Sequence, residues 1–177
     1  MRDRDEIRGH VRRLKRGPLL PYGTGTRVAL GADSLDRLLP HRPPMRLLDG
    51  IDAVDLEAGA VRGFRHLRPD DSGFAGHFPG EPIYPGVLAI EAIGQLALTL
   101  LHFSGQRRAD VPDDARAARV RAVRIHHAAF LTPFVPGDTM TLHAQMVRAG
   151  LTMVALGQAW KRDTLAAFGV SEVWVDD

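Results

Sequence analysis

A loop rich in proline and glycine, followed directly by the most apolar segment of the chain, constrains the fold most. Residues 76–95 read GHFPGEPIYPGVLAIEAIGQ. The three prolines of the loop each fix φ and withhold a backbone donor, so the chain cannot be helical before Pro85. Gly86 then opens a run of good helix formers without proline. This run predicts a buried core helix that ends near Ser104 and Gly105.

Two ionisable side chains stand out in this stretch, His77 in the loop and Glu91 on the apolar helix. A lone ionisable group in an apolar segment is costly unless it has a partner or a chemical task. A neutral histidine can take a proton, and apolar surroundings favour the protonated form of a carboxyl. The alternative interpretation is structural, with a histidine held in a tight loop and a glutamate paired with an arginine.

The start of the predicted helix adds a third group. The first amides of a helix have no internal partner and carry partial positive charge, so the amides near Gly86 suit a developing oxyanion. A base, an acid and an oxyanion site fit proton abstraction α to a carbonyl, followed by loss of a leaving group. Gly94 interrupts the helix formers and suggests a close approach by another backbone.

The same residues form a long motif, and fourteen positions separate its histidine from its glutamate. The motif comprises GHFPG at 76–80, Pro82, PGVL at 85–88, Glu91-Ala92 and Gln95. It resembles the active-site signature of the hot-dog-fold (3R)-hydroxyacyl-[acyl-carrier-protein] dehydratases of the FabZ type. The related dehydratase/isomerase subfamily has an aspartate where this chain has Glu91, so the glutamate points to the simple dehydratase.

Two flanking segments extend the resemblance to about residues 36–175. Residues 40–49, PHRPPMRLLD, resemble the first-strand entry of the family, PHRxPxLLVD. Phe130 with VPGD at 135–138 resembles its FxxPVxPGD turn. One departure lies before the motif, where Arg68-Pro69-Asp70-Asp71 replaces the asparagine and glutamate that the family often carries. This departure leaves substrate details open.

The resemblance implies dehydration of a (3R)-3-hydroxyacyl thioester to a trans-2-enoyl thioester. In that reaction His77 removes the C2 proton, the Gly86 amide polarises the thioester carbonyl and Glu91 protonates the departing hydroxyl. Gln95 lies one turn beyond Glu91 and could orient its carboxyl or simply satisfy the core. The resemblance implies no cofactor, because the substrate arrives on the phosphopantetheine arm of an acyl carrier protein.

The resemblance also implies assembly. Family members are dimers or larger homo-oligomers, and each active site pairs the histidine of one protomer with the glutamate of the other. An acyl tunnel is expected beside the helix at that interface. Its expected lining is Val87, Ile90, Phe130 and Phe134. The N-terminal extension leaves a heterodimer open.

Three other functions remain compatible with the sequence. A hot-dog thioesterase would hydrolyse the same thioester, but the histidine at position 77 argues against it. An enoyl-CoA hydratase would run the reaction in reverse. A non-catalytic partner subunit of a dehydratase heterodimer would have no need of both His77 and Glu91, and both are present. Acyl chain length, and fatty-acid as opposed to polyketide biosynthesis, stay open.

Composition narrows the class of protein. The chain has 177 residues, 45% of them hydrophobic and 25% charged, as in an ordinary globular domain. It contains no cysteine, which excludes disulfides and thiolate chemistry and suits the cytoplasm. A net charge of +2 gives no argument for nucleic-acid binding. We expect the apolar helix to be too short and too interrupted for a membrane span.

We divide the chain into an Arg-rich extension and linker at 1–32 and a hot-dog domain at 33–177. The extension has no apolar core of a secretory signal. Ile7, Val11 and Leu14 fall at helical spacing, so a docked amphipathic helix and a solvated tail are both compatible. We favour a solvated or loosely docked segment. Residues 17–26 read as a linker.

Around the central helix the pattern predicts an antiparallel sheet. Asp33 or Ser34 is expected to cap a short helix that runs to Leu39. Strands are predicted at 46–55, 60–67, 118–130, 138–148, 151–161 and 164–175. The short breaks between them indicate antiparallel hairpins. Two strands, one long helix and four strands give an α+β hot-dog fold, a sheet wrapped around a central helix.

The remaining histidines and the arginines give weaker signals. His126 and His127 are adjacent on a strand and face opposite ways, so they cannot share a metal, and no metal site is predicted. Four further histidines, His41, His66, His102 and His143, are expected to be structural or exposed. The arginines at 107, 108, 116, 119, 121 and 124 are either a solvated face or a landing surface for an acidic carrier protein.

Overall fold

The computed structural model describes residues 4–176 and contains one antiparallel sheet with three α-helices. The helices are α1 (Arg4–Leu14), α2 (Ala32–Leu38) and α3 (Gly86–Gln106). The strands are β1 (Thr26–Leu30), β2 (Gly50–Asp55), β3 (Ala60–His66), β4 (Val120–Phe130), β5 (Thr139–Ala149), β6 (Thr152–Lys161) and β7 (Thr164–Val175). They lie in the order β1-β2-β3-β5-β6-β7-β4, which is the predicted hot-dog fold with one additional strand.

The central helix α3 packs against one face of the sheet, because the strands below it carry small residues. A Cβ atom on Gly157 of β6 would lie 2.0 Å from Cγ2 of Ile93, so only glycine admits the helix at this distance. Ile93, Leu96 and Phe103 are all buried in the core between helix and sheet. The sheet therefore holds α3, and with it Glu91, in a fixed position.

The helix α1 covers the opposite face of the sheet. Leu14 is fully buried against Val154, Leu156, Phe168 and Val170. Strand residues alternate between the two faces, so these four side chains point away from α3. The sequence analysis favoured a solvated or loosely docked segment, whereas the described part of this segment is a docked helix.

A polar clamp fixes the segment that follows α1. The side chain of Gln158 donates to the carbonyls of Leu14 and Gly17 at 2.7 and 2.8 Å, and it accepts from the amide of Leu19 at 2.8 Å. The amide of Leu20 donates to His143 Nδ1 at 3.3 Å. Buried polar groups are stable when they are paired in this way. The segment predicted as a linker is thus held by sequence-distant side chains, and its last residue begins β1.

Two helix ends differ from the prediction. Gly31 occupies the N-cap of α2 and no side chain caps it, so the expected role of Asp33 or Ser34 was wrong. The helix α3 continues to Gln106, and Arg107 terminates it with a left-handed φ of 52° where a glycine was expected. The difference at the end of α3 lies within the one or two residues by which helix ends commonly vary.

The length of α3 also corrects the membrane argument. Among residues 4–176 it is the one helix long and apolar enough to cross a membrane by length and composition, with 21 residues. The statement that the segment is too short was therefore wrong. In the most apolar stretch of α3, 56% is buried inside the protein. The helix is therefore packed as a core helix.

Candidate active site

The loop that carries His77 is a compact turn. Phe78 and Glu81 exchange two backbone hydrogen bonds of 3.0 and 3.1 Å across Pro79-Gly80. Gly80 has a φ of 82°, so proline at the second and glycine at the third turn position match a type II turn. The peptide bond between His77 and Phe78 is cis, and the two rings stack with centroids 4.1 Å apart.

Hydrogen bonding defines the tautomer of His77. Its Nδ1 lies 2.8 Å from the carbonyl oxygen of Ile83, and the Ile83 amide donates back to the His77 carbonyl at 2.9 Å. A carbonyl oxygen only accepts, so Nδ1 must carry the proton. The neutral ring then presents the lone pair of Nε2 as a base. Tyr84 follows Ile83 in the chain, and burial raises the pKa of its phenol.

The helix α3 begins directly behind this loop. Its first internal bonds run from the amides of Leu88 and Ala89 to the carbonyl of Pro85, at 3.0 and 3.3 Å. The amides of Gly86 and Val87 precede these bonds, so they lack helical partners and point out of the helix end. A Cβ on Gly86 would lie 2.5 Å from the ring of Phe130. The glycine therefore permits close contact between the helix start and β4.

A side-chain network surrounds Glu91. Gln95 Nε2 donates to Glu91 Oε1 at 2.9 Å and to the carbonyl of Met45 at 2.8 Å. Gln95 Oε1 accepts from the amide of Leu47 at 2.8 Å. Gln95 is 1% exposed, so these bonds satisfy a buried amide while they also fix the carboxyl. The buried Gln95 thus contributes to core satisfaction and also contacts the carboxylate.

His41 is a site residue that the sequence analysis placed among structural or exposed histidines. Its Nε2 lies 3.5 Å from Glu91 Oε1, and both residues line the same cavity. Position 41 falls in the segment 40–49, within the PHR part of the matched motif. That match was the available signal, but 50 residues separate His41 from Glu91 and no spacing argument connects them.

Two cavities contain the expected site residues. The Glu91 cavity measures about 340 Å³ and the His77 cavity about 390 Å³. Val87 and Phe130 line both, so the two cavities lie on either side of these side chains. The Glu91 cavity also contains Ile90, Gln95, His41 and Arg124, and the His77 cavity also contains Gly86, Tyr84 and Phe134.

The expected tunnel residues divide between the two cavities. Ile90 belongs to the Glu91 cavity and Phe134 to the His77 cavity, and both are nearly buried. Val87 and Phe130, which line both, are 68% and 55% exposed. One chain therefore does not bring His77 and Glu91 into one cavity. It leaves two large apolar side chains uncovered between them.

A larger cavity of about 540 Å³ lies at the other end of α3. Its lining includes Leu100, Leu151 and Trp174. Among residues 4–176, Arg148 is the one charged residue in this lining, and no histidine or carboxylate belongs to it. A cavity without an acid or a base offers no proton transfer, so this cavity is not a catalytic candidate.

The remaining histidines have structural partners. His126 Nε2 lies 2.8 Å from a carboxylate oxygen of Glu172, and His127 stacks on Phe168. Burial, followed by the nearby charge of Arg62, lowers the pKa of His143 to about 4. Within residues 4–176, no group of three or more histidine, aspartate or glutamate side chains is arranged to hold a metal ion.

The arginines that could meet a carrier protein differ in their surroundings. Arg108 forms two bonds of 2.8 and 2.6 Å with Asp110, and Arg121 lies 3.3 Å from Asp176. Arg124 is exposed on β4 and lines the Glu91 cavity. Of these three, Arg124 is the cation placed at the mouth of a candidate catalytic cavity.

Comparison with known proteins places these features in a family. The model of the FabA-like domain matches residues 39–168. The 3-hydroxyacyl-[acyl-carrier-protein] dehydratase FabZ of Protochlamydia amoebophila is 35% identical over 117 residues, which cover 66% of this chain and 70% of that protein. The FabZ of Dinoroseobacter shibae is 36% identical over 137 residues, covering 75% and 79%.

A solved structure agrees on the fold. The dehydratase heterocomplex ApeI:P from Xenorhabdus doucetiae aligns with a TM-score of 0.61 at 17% identity, covering 81% of this chain and 91% of that one. At this identity the match concerns the fold alone. The family model, which spans most of the chain, and the FabZ relatives carry the assignment. The chain belongs to the FabA-like family and is a hot-dog dehydratase of the FabZ type.

Proposed function

We propose that this protein dehydrates (3R)-3-hydroxyacyl-[acyl-carrier-protein] thioesters to trans-2-enoyl thioesters, in fatty-acid or polyketide-type biosynthesis. His77 is the general base, Glu91 the general acid, and the Gly86 amide binds the thioester oxygen. The names of the FabZ relatives support the reaction, and the resemblance of the 76–95 motif supports the roles.

One observation carries the proposal further: the base and the acid line separate cavities that share Val87 and Phe130. The strand β4 borders both cavities and is an edge of the sheet. Its free backbone groups and its exposed Val123 and Ile125 suit pairing with a second chain. A homodimer or larger homo-oligomer would then join the His77 cavity of one protomer to the Glu91 cavity of the other.

The proposed chemistry uses His77 as the base and Glu91 as the acid. His77 Nε2 takes the C2 proton while the Gly86 amide holds the charge that develops on the thioester oxygen. The C3–O bond breaks as Glu91, in its acid form, gives its proton to the departing hydroxyl, and water leaves. His77 then holds one proton more and Glu91 one fewer. Transfer of that proton back through water restores both.

Substrate delivery and location follow from the same reaction. The substrate is carried by an acyl carrier protein, and Arg124 at the Glu91 cavity is suited to the phosphate of its pantetheine arm. The acyl chain would run along Val87, Ile90, Phe130 and Phe134. No cofactor takes part. The setting is the cytoplasm, and a heterodimer with a related subunit is the alternative assembly.

Mass spectrometry of a short (3R)-3-hydroxyacyl carrier-protein thioester tests the proposal. The expected product is the enoyl thioester, formed by loss of water with wild type and not with His77→Ala or Glu91→Gln. Release of free acid would reassign the protein as a thioesterase. Activity on the coenzyme A thioester alone would favour a hydratase, and binding without turnover at any chain length would favour a non-catalytic partner subunit.

A further inference from the structure

We propose that His41 is a positioning residue for Glu91, and that it acts on one particular oxygen of the carboxyl. His41 and Gln95 together hold Oε1, which leaves Oε2 to carry the proton that is given to the leaving hydroxyl. This inference rests on the proposed function, because it concerns the same general acid. It assigns separate tasks to the two oxygens of Glu91.

The two oxygens of Glu91 have different surroundings. Gln95 Nε2 donates to Oε1 at 2.9 Å, and His41 Nε2 lies 3.5 Å from the same atom. No residue within the described range 4–176 pairs with Oε2. An oxygen that accepts a hydrogen bond from a donor nitrogen is a poor site for a proton of its own. The acidic proton of Glu91 is therefore carried by Oε2, on the side of the carboxyl left open to the cavity.

The buried nitrogen of His41 supports this arrangement. Its Nδ1 is buried and has no hydrogen-bond partner among the described residues. A buried N–H without an acceptor is costly, so in the neutral ring the proton belongs on Nε2. Nε2–H then points at Glu91 Oε1 as a donor. At 3.5 Å the contact is long, as catalytic contacts often are before substrate binds.

The backbone around His41 is fixed by the neighbouring arginine. Arg42 Nη1 donates to the carbonyls of Leu39 and His41, both at 2.8 Å, and Nη2 donates to the carbonyl of Asp36 at 3.0 Å. Gln95 holds the other end of the segment through Met45 and Leu47. A side chain on such a braced segment can hold a carboxyl in one orientation, which reduces the entropy lost on reaching the transition state.

A positioning role and a purely structural role predict different kinetics. Without the donor on His41, the Glu91 carboxyl keeps only the contact with Gln95 and can rotate away from the leaving hydroxyl. On this assignment the substrate contacts Oε2 and not Oε1, so kcat should fall while KM stays close to wild type. Loss of a structural residue would instead lower the melting temperature and affect both constants.

The variants His41→Gln and His41→Asn form a matched pair. Both carry an amide, but only glutamine is long enough to place a donor where His41 Nε2 lies. Steady-state kinetics on the carrier-protein substrate should show kcat lowered about tenfold or more by His41→Asn and within about threefold of wild type for His41→Gln. His66→Gln is the control, because His66 is an exposed histidine on β3 that lines neither cavity.

Thermal melts and the elution volume accompany the kinetics. Equal kcat values for His41→Asn and wild type, or equal losses in His41→Asn and His41→Gln at unchanged melting temperature, would overturn the positioning role. A loss confined to KM would overturn it too. In each case an active wild type would leave the dehydratase assignment standing, whereas an inactive wild type would overturn both proposals.

Discussion

His77 and Glu91 face different cavities of the same chain, with Val87 and Phe130 between them. One short loop and the first turns of α3 connect the two residues along the chain. A second chain that pairs along β4 would bring the base of one protomer beside the acid of the other. This relationship gives the first prediction.

The single variants His77→Ala and Glu91→Gln should each lower kcat by about two to four orders of magnitude, because each removes one proton-transfer group. Co-expression of the two variants with different affinity tags yields mixed dimers. If each site pairs the histidine of one protomer with the glutamate of the other, a mixed dimer has one site with both native residues and one with neither. Its activity should approach half that of wild type, measured on dimers purified through both tags.

Activity within a single chain would contradict this arrangement. The control is a dimer in which both protomers carry His77→Ala and each has a different tag. This dimer contains no complete site. If the two-variant dimer is as inactive as this control, base and acid act within one protomer and the paired-site proposal fails.

Replacement of Gly86 by alanine should damage both stability and turnover. The new Cβ would meet the Phe130 ring at 2.5 Å, so the ring, β4 or the start of α3 must move. Overpacking of this kind costs about 1–3 kcal/mol of unfolding free energy, measured by urea denaturation. Turnover should fall as well if the helix start shifts, because the Gly86 amide is the group proposed to bind the thioester oxygen.

Gly105→Ala is the matched control, since it is a glycine of the same helix with nothing within 4 Å of its Cβ. Alanine is the better helix former, so this variant should be as stable as wild type or slightly more stable. Equal stability and turnover in Gly86→Ala and Gly105→Ala would show that the Phe130 contact is not required.

A substitution in the docked helix α1 should change the stability of the protein without an effect on catalysis. Leu14→Ala removes a fully buried side chain from the cluster with Phe168 and Val170, so it should cost about 2–5 kcal/mol of unfolding free energy. The site lies across the sheet, so kcat of the folded enzyme should be unchanged. Leu151→Ala, at a side chain that is 84% exposed, should change stability by less than about 0.5 kcal/mol.

His143 predicts a dependence of stability on pH. Burial, followed by the charge of Arg62, lowers its pKa from 6.5 to about 4, so the folded state binds fewer protons than the unfolded state between these values. Stability should therefore rise with pH across this interval, and the full contribution of about 3 kcal/mol is present above pH 6.5. It is lost as the pH falls through about 4.

Urea denaturation at several pH values measures this contribution. His143→Asn keeps an acceptor near the position of Nδ1 for the Leu20 amide but cannot bind a proton in this range. The difference between wild type and the variant should grow with pH from about 4 to 6.5 and then level off. Parallel stability curves over that interval would contradict the buried neutral state of His143.

Local patterns in the sequence determined most of the domain. The prolines before Pro85 and the apolar run after Gly86 located the start of α3, because proline excludes helix and the run favours it. The hairpins β5–β6 and β6–β7 were confirmed because short breaks leave antiparallel pairing as the accessible connection. These features depend on neighbours in the chain, so the chain alone specifies them.

Contacts between distant residues were decided by the tertiary structure. The burial of Leu14 depends on β6 and β7, more than 130 residues away, and the position of His41 depends on Gln95 bonding to the segment after it. The free energy of such contacts comes from surfaces that meet only after the sheet has formed, so no local pattern records it. The sequence determined which residues can transfer protons, and the fold decided which cavity each one faces.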